Sequence, residues 1–326
     1  MLITRTPLRI TLGGGGTDLP SYYEEHGGMV VSAAINKHIY ISVNRTFTED
    51  YFLKYSQLER VDKVSQIEHP IMREVLSAHD IGPNVEIVST ADIPAGTGLG
   101  SSGAFTVGML HAAHATQRDH VSAADLGEEA CRIEIDVLGR PVGKQDQYAA
   151  AFGGITAFEF NPDGTVKAAP ARLPAETVLD LEQHLLMFFT GYSRDADRVL
   201  EDQRARSLTG ESEMAENLHH VKDLGRRSLT ALEHGDTTAF ADLMHEHWLV
   251  KRRRSAGMSN RRIDGLYDLA RDHGARGGKL VGAGAGGFLM FYAEDSRRLR
   301  TAMRDEGLTE MQFGFDLDGS TVLVRD

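Results

Sequence analysis

The chain has a single cysteine, Cys131, among 326 residues. No disulfide framework and no cysteine-based zinc site can be built from one thiol, and a reducing cytoplasm is the expected setting. No uninterrupted apolar run of ~18 residues occurs, so no membrane span is expected. The opening MLITRTPLRI lacks the apolar h-region of a signal peptide. Basic residues are also in deficit, 35 against 47 acidic ones, a formal net charge of −12. A surface of that sign repels phosphate backbones, so no nucleic-acid partner is expected. No tandem repeat and no low-complexity segment is present. What remains is an ordinary globular composition, 41% hydrophobic and 25% charged, long enough for two domains.

Glycine is plentiful, with 34 residues. It gathers in three places: Gly13 to Gly16, Gly96 to Gly103, and Gly282 to Gly287. Each group abuts an apolar run. Strand-like segments are expected at Leu8 to Leu12, Met29 to Val43 (interrupted at Asn36 and Lys37), Asn84 to Thr90 and Gly153 to Phe160. Helices are expected at Ala104 to Thr116 and from Ser122, whose Asp125 resembles a capping box, to a stop at Gly139 and Pro141. A Pro-, Gly- and Ala-containing stretch after Asn161 marks the domain boundary, which we set at 175/176. Beyond it come a strand at Leu185 to Thr190, helices at about Ala196 to Ser207, Ser212 to His234 and Thr238 to Val250, and a strand–glycine turn–strand unit over Gly278 to Tyr292. The class is α+β, divided into 1–175 and 176–326.

The second glycine group reads Pro94-Ala-Gly96-Thr-Gly98-Leu99-Gly100-Ser101-Ser102-Gly103 and runs into a helix. A glycine-rich turn at a helix N-terminus presents bare N–H groups and a positive dipole end, which suits nucleotide phosphates. Ser101 and Ser102 add hydroxyls for a phosphate or a Mg2+ ion. This is not a P-loop, because no lysine follows Gly103. The string GxGxxG occurs at Gly98, Gly100, Gly103 and again at Gly282, Gly284, Gly287, but outside the strand–turn–helix context that a dinucleotide fold requires. A nicotinamide-dependent oxidoreductase is therefore disfavoured.

The first group, Pro7 to Pro20, carries Arg9 on a strand and Asp18 after the glycines. A carboxylate on such a loop can accept hydrogen bonds from sugar hydroxyls, and a buried Arg9 requires a partner. The third group is expected to form a tight hairpin that brings bare backbone near a ligand or the phosphate loop. Between the second and third groups, Glu134 and Asp146 flank a helix end and a turn. One carboxylate with a serine hydroxyl and nucleotide phosphates suits Mg2+, and the other can take the proton of an attacking hydroxyl. Lys144 is placed to stabilise charge nearby.

Three motifs in this order, with the Glu–Asp pair between them, resemble the GHMP small-molecule kinases. The resemblance spans nearly the whole chain. It implies an N-terminal domain like the second domain of ribosomal protein S5 and a C-terminal ferredoxin-like sandwich. It further implies ATP and Mg2+ as cofactors, Asp146 as base and Arg9 as its partner in catalysis. Asp18 would hold the sugar, with Thr17, Gly15, Gly16, Lys144 and Arg194 around it. Pro94, Gly96, Gly98, Leu99, Gly100, Ser101, Ser102 and Gly103 would hold ATP, and Ser102 with Glu134 the metal. Gly143-Lys-Gln-Asp-Gln147 is similar to the catalytic string of the sugar-kinase branch. The Gly13–Gly16 quartet departs from the Gly-Glu-His run of galactokinases. Pro7 to Pro20, Gly143 to Gly154 and Thr190 to Ala196 resemble the bacterial D-glycero-D-manno-heptose 7-phosphate kinases most, which implies phosphorylation at the anomeric C1 hydroxyl. A fucokinase-like sugar 1-kinase is the rival, and a non-catalytic ATP and sugar sensor is the alternative of another class. An acceptor that already carries phosphate requires a further cation, for which Arg5, Lys37, Arg140, Lys144 and Arg194 are candidates. The run Lys251-Arg-Arg-Arg254 reads as a solvated helix end, the pair His245 and His247 as no zinc site, and Cys131 as core.

Overall fold

The computed structural model describes residues 1–191, 201, 205–206, 212–254, 257–282, 284 and 286–325. The expected helix near 196–207 lies almost entirely outside the described residues. The first sheet is built on one long hairpin, β1 (Leu2–Gly13) against β2 (Gly28–Arg45). In both strands apolar and β-branched residues recur on the covered face, with Leu8, Ile10, Leu12, Val31 and Ile41 buried in one core. The pairing slips between Pro7 and Leu8, so Asn36 and Lys37 bulge out of an otherwise continuous β2. That bulge is the interruption that the sequence shows.

β2 is long enough to pair with two neighbours on its other side. Its first half pairs with β6 (Ile155–Phe160) and its second half with β5 (Val85–Ala91). The short strands β3 (Tyr51–Lys54), β4 (Leu58–Val61) and β7 (Val166–Pro170) extend the two flanks. Short helices α1 (Pro20–His26) and α2 (Pro70–Ala78) sit in the loops. On the sheet lie α3 (Ser101–Gln117), α4 (Ala123–Cys131) and α5 (Gln145–Phe152). α3 is almost wholly buried, and its small residues let it sit close to the strands, with Gly108 against Thr6 and Ile41.

The second sheet is antiparallel, in the order β11-β8-β10-β9. Its strands are β8 (Leu185–Phe189), β9 (Ala275–Leu280), β10 (Phe288–Ala293) and β11 (Thr309–Met311). Helices α7 (Ser212–Glu233), α8 (Thr237–Lys251) and α9 (Arg261–Asp272) fall between β8 and β9, and α10 (Ser296–Asp305) falls between β10 and β11. This is the β-α-β-β-α-β order of a ferredoxin-like sandwich. α6 (Ala175–His184) leads into it. Trp248, Tyr267, Phe188, Leu289 and Phe291 fill the core between sheet and helices.

One feature departs from the expected division at 175/176. The last strand, β12 (Thr321–Arg325), leaves the second half and pairs antiparallel with β1. α7 also packs across β1 and β2, where Gly225 and Gly13 bring the two backbones together. The halves therefore share a wide seam, and the cavity described next opens along it.

Candidate active site

The cavity measures about 700 Å³. The glycine loop before α3 forms one side of it. Gly100 caps α3 in a left-handed conformation and aims the helix N-terminus, with Ser101 and Ser102, into the space. The Ser101 hydroxyl is buried there without a hydrogen-bond partner among the described residues. A buried orphan donor at a positive helix end is what a phosphate oxygen would satisfy.

The loop is braced by the third glycine group. Gly98 has φ +84°, and a Cβ on it would lie 2.6 Å from the Val281 carbonyl oxygen. A Cβ on Gly282 would in turn lie 2.5 Å from the Gly98 Cα. Two glycine turns are thus in backbone contact, as expected for a hairpin reaching the phosphate loop.

Arg9 joins the loop to the carboxylate. Its Nη1 donates to the Gly98 carbonyl at 2.6 Å, while Nε at 2.8 Å and Nη2 at 2.6 Å both reach Asp146 Oδ1. Asp146 Oδ2 accepts no hydrogen bond among the described residues and lies on a half-exposed side chain lining the cavity. Asp18 stands beside them, taking the Gly16 N–H at 3.0 Å and the Gln145 N–H at 3.2 Å. Burial, and then the negative charge of Asp146, push its carboxyl above the usual range. Any side chain at Gly143 would collide with Asp18, since its Cβ would lie 2.0 Å from Oδ2. The Thr-Asp and Gly-Lys-Gln-Asp-Gln strings are therefore shaped to each other.

Glu134 arrives by a local irregularity. After Cys131 the chain widens into a π-helical turn, Arg132–Val137, and Glu134 turns fully inward. The Ser102 hydroxyl donates to its Oε1, Gln147 Nε2 donates to Oε2 at 2.7 Å, and Arg140 Nη1 reaches Oε1 at 3.0 Å. Burial raises the carboxyl above its ordinary value. Two adjacent hard oxygen donors beside a phosphate-shaped helix end fit Mg2+, which takes few protein ligands.

Other expected site residues are not at the cavity wall. Lys144 is turned away: its ammonium binds Glu128 at 2.9 and 3.0 Å and the Gly164 carbonyl at 2.8 Å. It is the N-cap of α5, and Asp146, two residues on, lies on a different side of that helix. Thr17 is fully buried, bonding the Gly14 and Met29 carbonyls and so closing the turn under Asp18. Leu99 is core, and its carbonyl accepts from Arg9 N. Pro94 is exposed, its carbonyl accepting from Thr97 Oγ1 at 3.1 Å, and Gly103 is buried against Asp146 Cβ; neither lines the cavity. Gly15, Gly16, Gly96, Gly98, Gly100, Ser101 and Ser102 do line the cavity. Arg194 lies outside the described residues. Arg5 points to Asp316 and Asp318 at 3.8 and 3.5 Å, and Lys37 sits in the bulge; neither lines the cavity.

The structure adds residues that the sequence did not single out for the site. His247, Lys251, Arg254 and Lys279 all line the cavity. Lys251 is 7% exposed and Arg254 3%, which corrects the reading of that run as a solvated helix end. The available signal was the apolar face of α8: Phe240, Met244 and Trp248 are buried, and His247 and Lys251 continue that face at helical spacing.

Known proteins match this arrangement from end to end. The GHMP kinases N terminal domain matches residues 55–154 and the GHMP kinases C terminal domain matches 228–308, together more than half of the chain. The chain belongs to the GHMP kinases. A D-glycero-alpha-D-manno-heptose 7-phosphate kinase of Campylobacter jejuni is 28% identical over 330 residues, covering 97% of each chain. The solved D-glycero-D-manno-heptose 1-phosphate kinase from Bacteroides thetaiotaomicron superposes with a TM-score of 0.82 at 27% identity, over 100% of both chains. A Lactococcus lactis galactokinase complexed with galactose has the same fold, with a TM-score of 0.78 at 17% identity over 98% and 94% of the two chains. This GHMP kinase is thus an ATP-dependent phosphotransferase of small molecules. Among the described residues, no helix is long and apolar enough to cross a membrane.

Proposed function

We propose that this kinase transfers the γ-phosphoryl group of ATP to the anomeric C1 hydroxyl of D-glycero-D-manno-heptose 7-phosphate, giving the 1,7-bisphosphate. The observation that carries the chemistry is Asp146, with one carboxylate oxygen held by Arg9 and the other open to the cavity. Asp146 takes the proton of the acceptor hydroxyl as that oxygen attacks the γ-phosphorus, and ADP leaves in line. Arg9 fixes Asp146 against the glycine loop and neutralises charge at the transfer point. Asp18 accepts hydrogen bonds from sugar hydroxyls beside the Gly15–Gly16 turn. The α3 N-terminus and Ser101 hold the nucleotide's phosphates, and Tyr55, His69, Ile71, Ile93 and Phe105 offer an apolar wall for its base. Ser102 and Glu134 would hold Mg2+, which would supply positive charge against the negative charge of the nucleotide's phosphates. Positioning and charge provide the rate enhancement.

The heptose assignment rests on full-length likeness to two heptose kinases, whose names place the phosphate differently, at position 7 and at position 1. A cytoplasmic location fits a chain whose sole cysteine is buried and unpaired. The test is MgATP turnover by ADP release on D-glycero-D-manno-heptose 7-phosphate, fucose, galactose and mannose. Turnover centred on the heptose phosphate is expected. Turnover on fucose alone would replace this reading with the fucokinase-like one, and ATP binding without turnover of any sugar would favour a sensor. Asp146→Asn is expected to keep ATP affinity and to lower kcat by about 10³-fold or more. Activity within tenfold of wild type would remove Asp146 as the base.

A further inference from the structure

We propose that Lys279, Lys251 and Arg254 form the site for the phosphate ester that the acceptor already carries. The proposal rests on the sugar-phosphate kinase reading and names the residues that would set its specificity.

The three side chains converge from separate elements. Lys279 lies on β9, Lys251 ends α8, and Arg254 follows it. Lys279 Nζ reaches the Leu12 carbonyl at 3.3 Å and His247 Nδ1 at 3.4 Å. Lys251 Nζ donates to the Leu280 carbonyl at 2.9 Å and to the Gly282 carbonyl. Arg254 donates to Asn217 Oδ1 at 3.1 Å and to the Gly15 carbonyl at 3.2 Å. Lys279 and Lys251 are thus oriented by neutral groups, and neither is paired with a carboxylate among the described residues. All three are more than nine-tenths buried yet line the cavity.

Cations gathered in a low-dielectric site repel one another and are costly to desolvate. Burial and the neighbouring cations depress Lys279 to about 7 and hold Lys251 well below its ordinary value, while burial, opposed by the charge of Asp18, brings Arg254 down to about 10. The charge of Asp18 favours the cationic form of Arg254, and an anion brought from outside would do the same for Lys279 and Lys251. A phosphate dianion supplies both the charge and acceptor oxygens for the third N–H of each lysine ammonium.

The position selects the acceptor rather than the nucleotide. Lys279 binds the Leu12 carbonyl near the end of β1, and Arg254 binds the Gly15 carbonyl in the glycine loop that follows and leads to Asp18. The nucleotide's phosphates have their own site at the α3 N-terminus, with the unpartnered Ser101 hydroxyl. The sugar would then lie between Asp146 at its reacting end and the cation cluster at its phosphate end.

The test compares wild type with Lys279→Met, Lys251→Met and Arg254→Met in the full chain, with Arg254→Lys as the conservative control. Steady-state kinetics are measured on D-glycero-D-manno-heptose 7-phosphate, on the same heptose without phosphate, and with ATP varied. Loss of one charged hydrogen bond corresponds to about 30-fold. The expected result is a fall of at least that size in the ratio of kcat/KM for the phosphorylated over the unphosphorylated sugar. KM for ATP should stay within threefold, and Arg254→Lys should retain part of the preference. Inorganic phosphate should compete with the acceptor in wild type and less in the variants. Equal losses on both sugars would overturn the proposal in favour of a structural role, and a parallel rise in KM for ATP would overturn it in favour of a nucleotide role. If wild type turns over no sugar phosphate, the kinase reading fails separately. Stabilisation of wild type but not Lys279→Met by inorganic phosphate would then still support an anion site, and its absence would refute it.

Discussion

Replacing Lys279 by methionine in the ligand-free enzyme should raise its stability. Lys279 is 2% exposed, and its pKa falls from the ordinary 10.5 to about 7 through burial and the charges of Arg9 and Arg254. At ~1.36 kcal/mol per pH unit, that fall corresponds to about 5 kcal/mol at and below neutrality. Methionine keeps the aliphatic volume but abandons the Leu12 carbonyl and His247 Nδ1, at a cost of about 2 kcal/mol. Relaxation of the interior lowers the net gain to about 2 kcal/mol, or roughly 4 °C in Tm for a chain of this size. The sign with pH follows from linkage. Between about 7 and 10.5 the unfolded lysine keeps a proton that the folded one has released, so this group makes the wild type more stable as pH rises through that window. The facing groups are His247 and Lys251 from α8, Arg254 beyond it and Arg9 from β1, and all stay in the variant. Thermal melts of both proteins at pH 6.5 and pH 9.5 therefore isolate Lys279. The variant should melt higher at pH 6.5, and its advantage should shrink by pH 9.5. A variant that melts several degrees lower at pH 6.5 would show that the lysine's hydrogen bonds outweigh its burial, and the reasoning would fail.

Three further outcomes are expected. Glu134→Gln should raise the Mg2+ concentration for half-maximal turnover at least tenfold, because the Ser102–Glu134 donor pair loses its charge; a metal titration reads this. Gly98→Ala meets both a positive φ and the Val281 carbonyl, so it should lower stability by about 2–4 kcal/mol and raise KM for ATP, as melting and kinetics would show. Lys144→Met should cost about 1–3 kcal/mol of stability through the loss of Glu128 and Gly164 contacts. It should leave KM for the acceptor within twofold, since its ammonium faces away from the cavity.

What could be read from the sequence was what is local. The glycine groups, the Ser122 cap and the strand–turn–strand unit expected over 278–292 are short-range signals, and the structure has them, the unit running over 275–293. Asp18 and Asp146 each follow a turn whose glycines were visible, and Arg9 reaches Asp146 from the strand that leads into the first of those turns. Lys144 and Thr17 misled because they adjoin Asp146 and Asp18 in sequence, while successive residues point in different directions. The cation cluster escaped for the opposite reason. Lys251 and Arg254 look like a surface run until β9 delivers Lys279 to the same place, and the carbonyls that hold Arg254 and Lys279 come from a segment over two hundred residues away. The irregular turn that carries Glu134 inward left no periodic trace.

The pairing of β12 with β1 has a bearing on how the protein is made. β1 lies between β2 and β12 in the sheet, and its partners Val324 and Arg325 lie more than three hundred residues downstream of Ile3 and Leu2. During synthesis the strand bearing Arg9 leaves the ribosome more than three hundred residues before β12, and one stretch of its edge stays open over that interval. An open edge recruits other strands, and a contact so distant in sequence forms slowly. The growing chain therefore carries an adhesive border throughout that interval, the period in which a nascent-chain chaperone has most to protect.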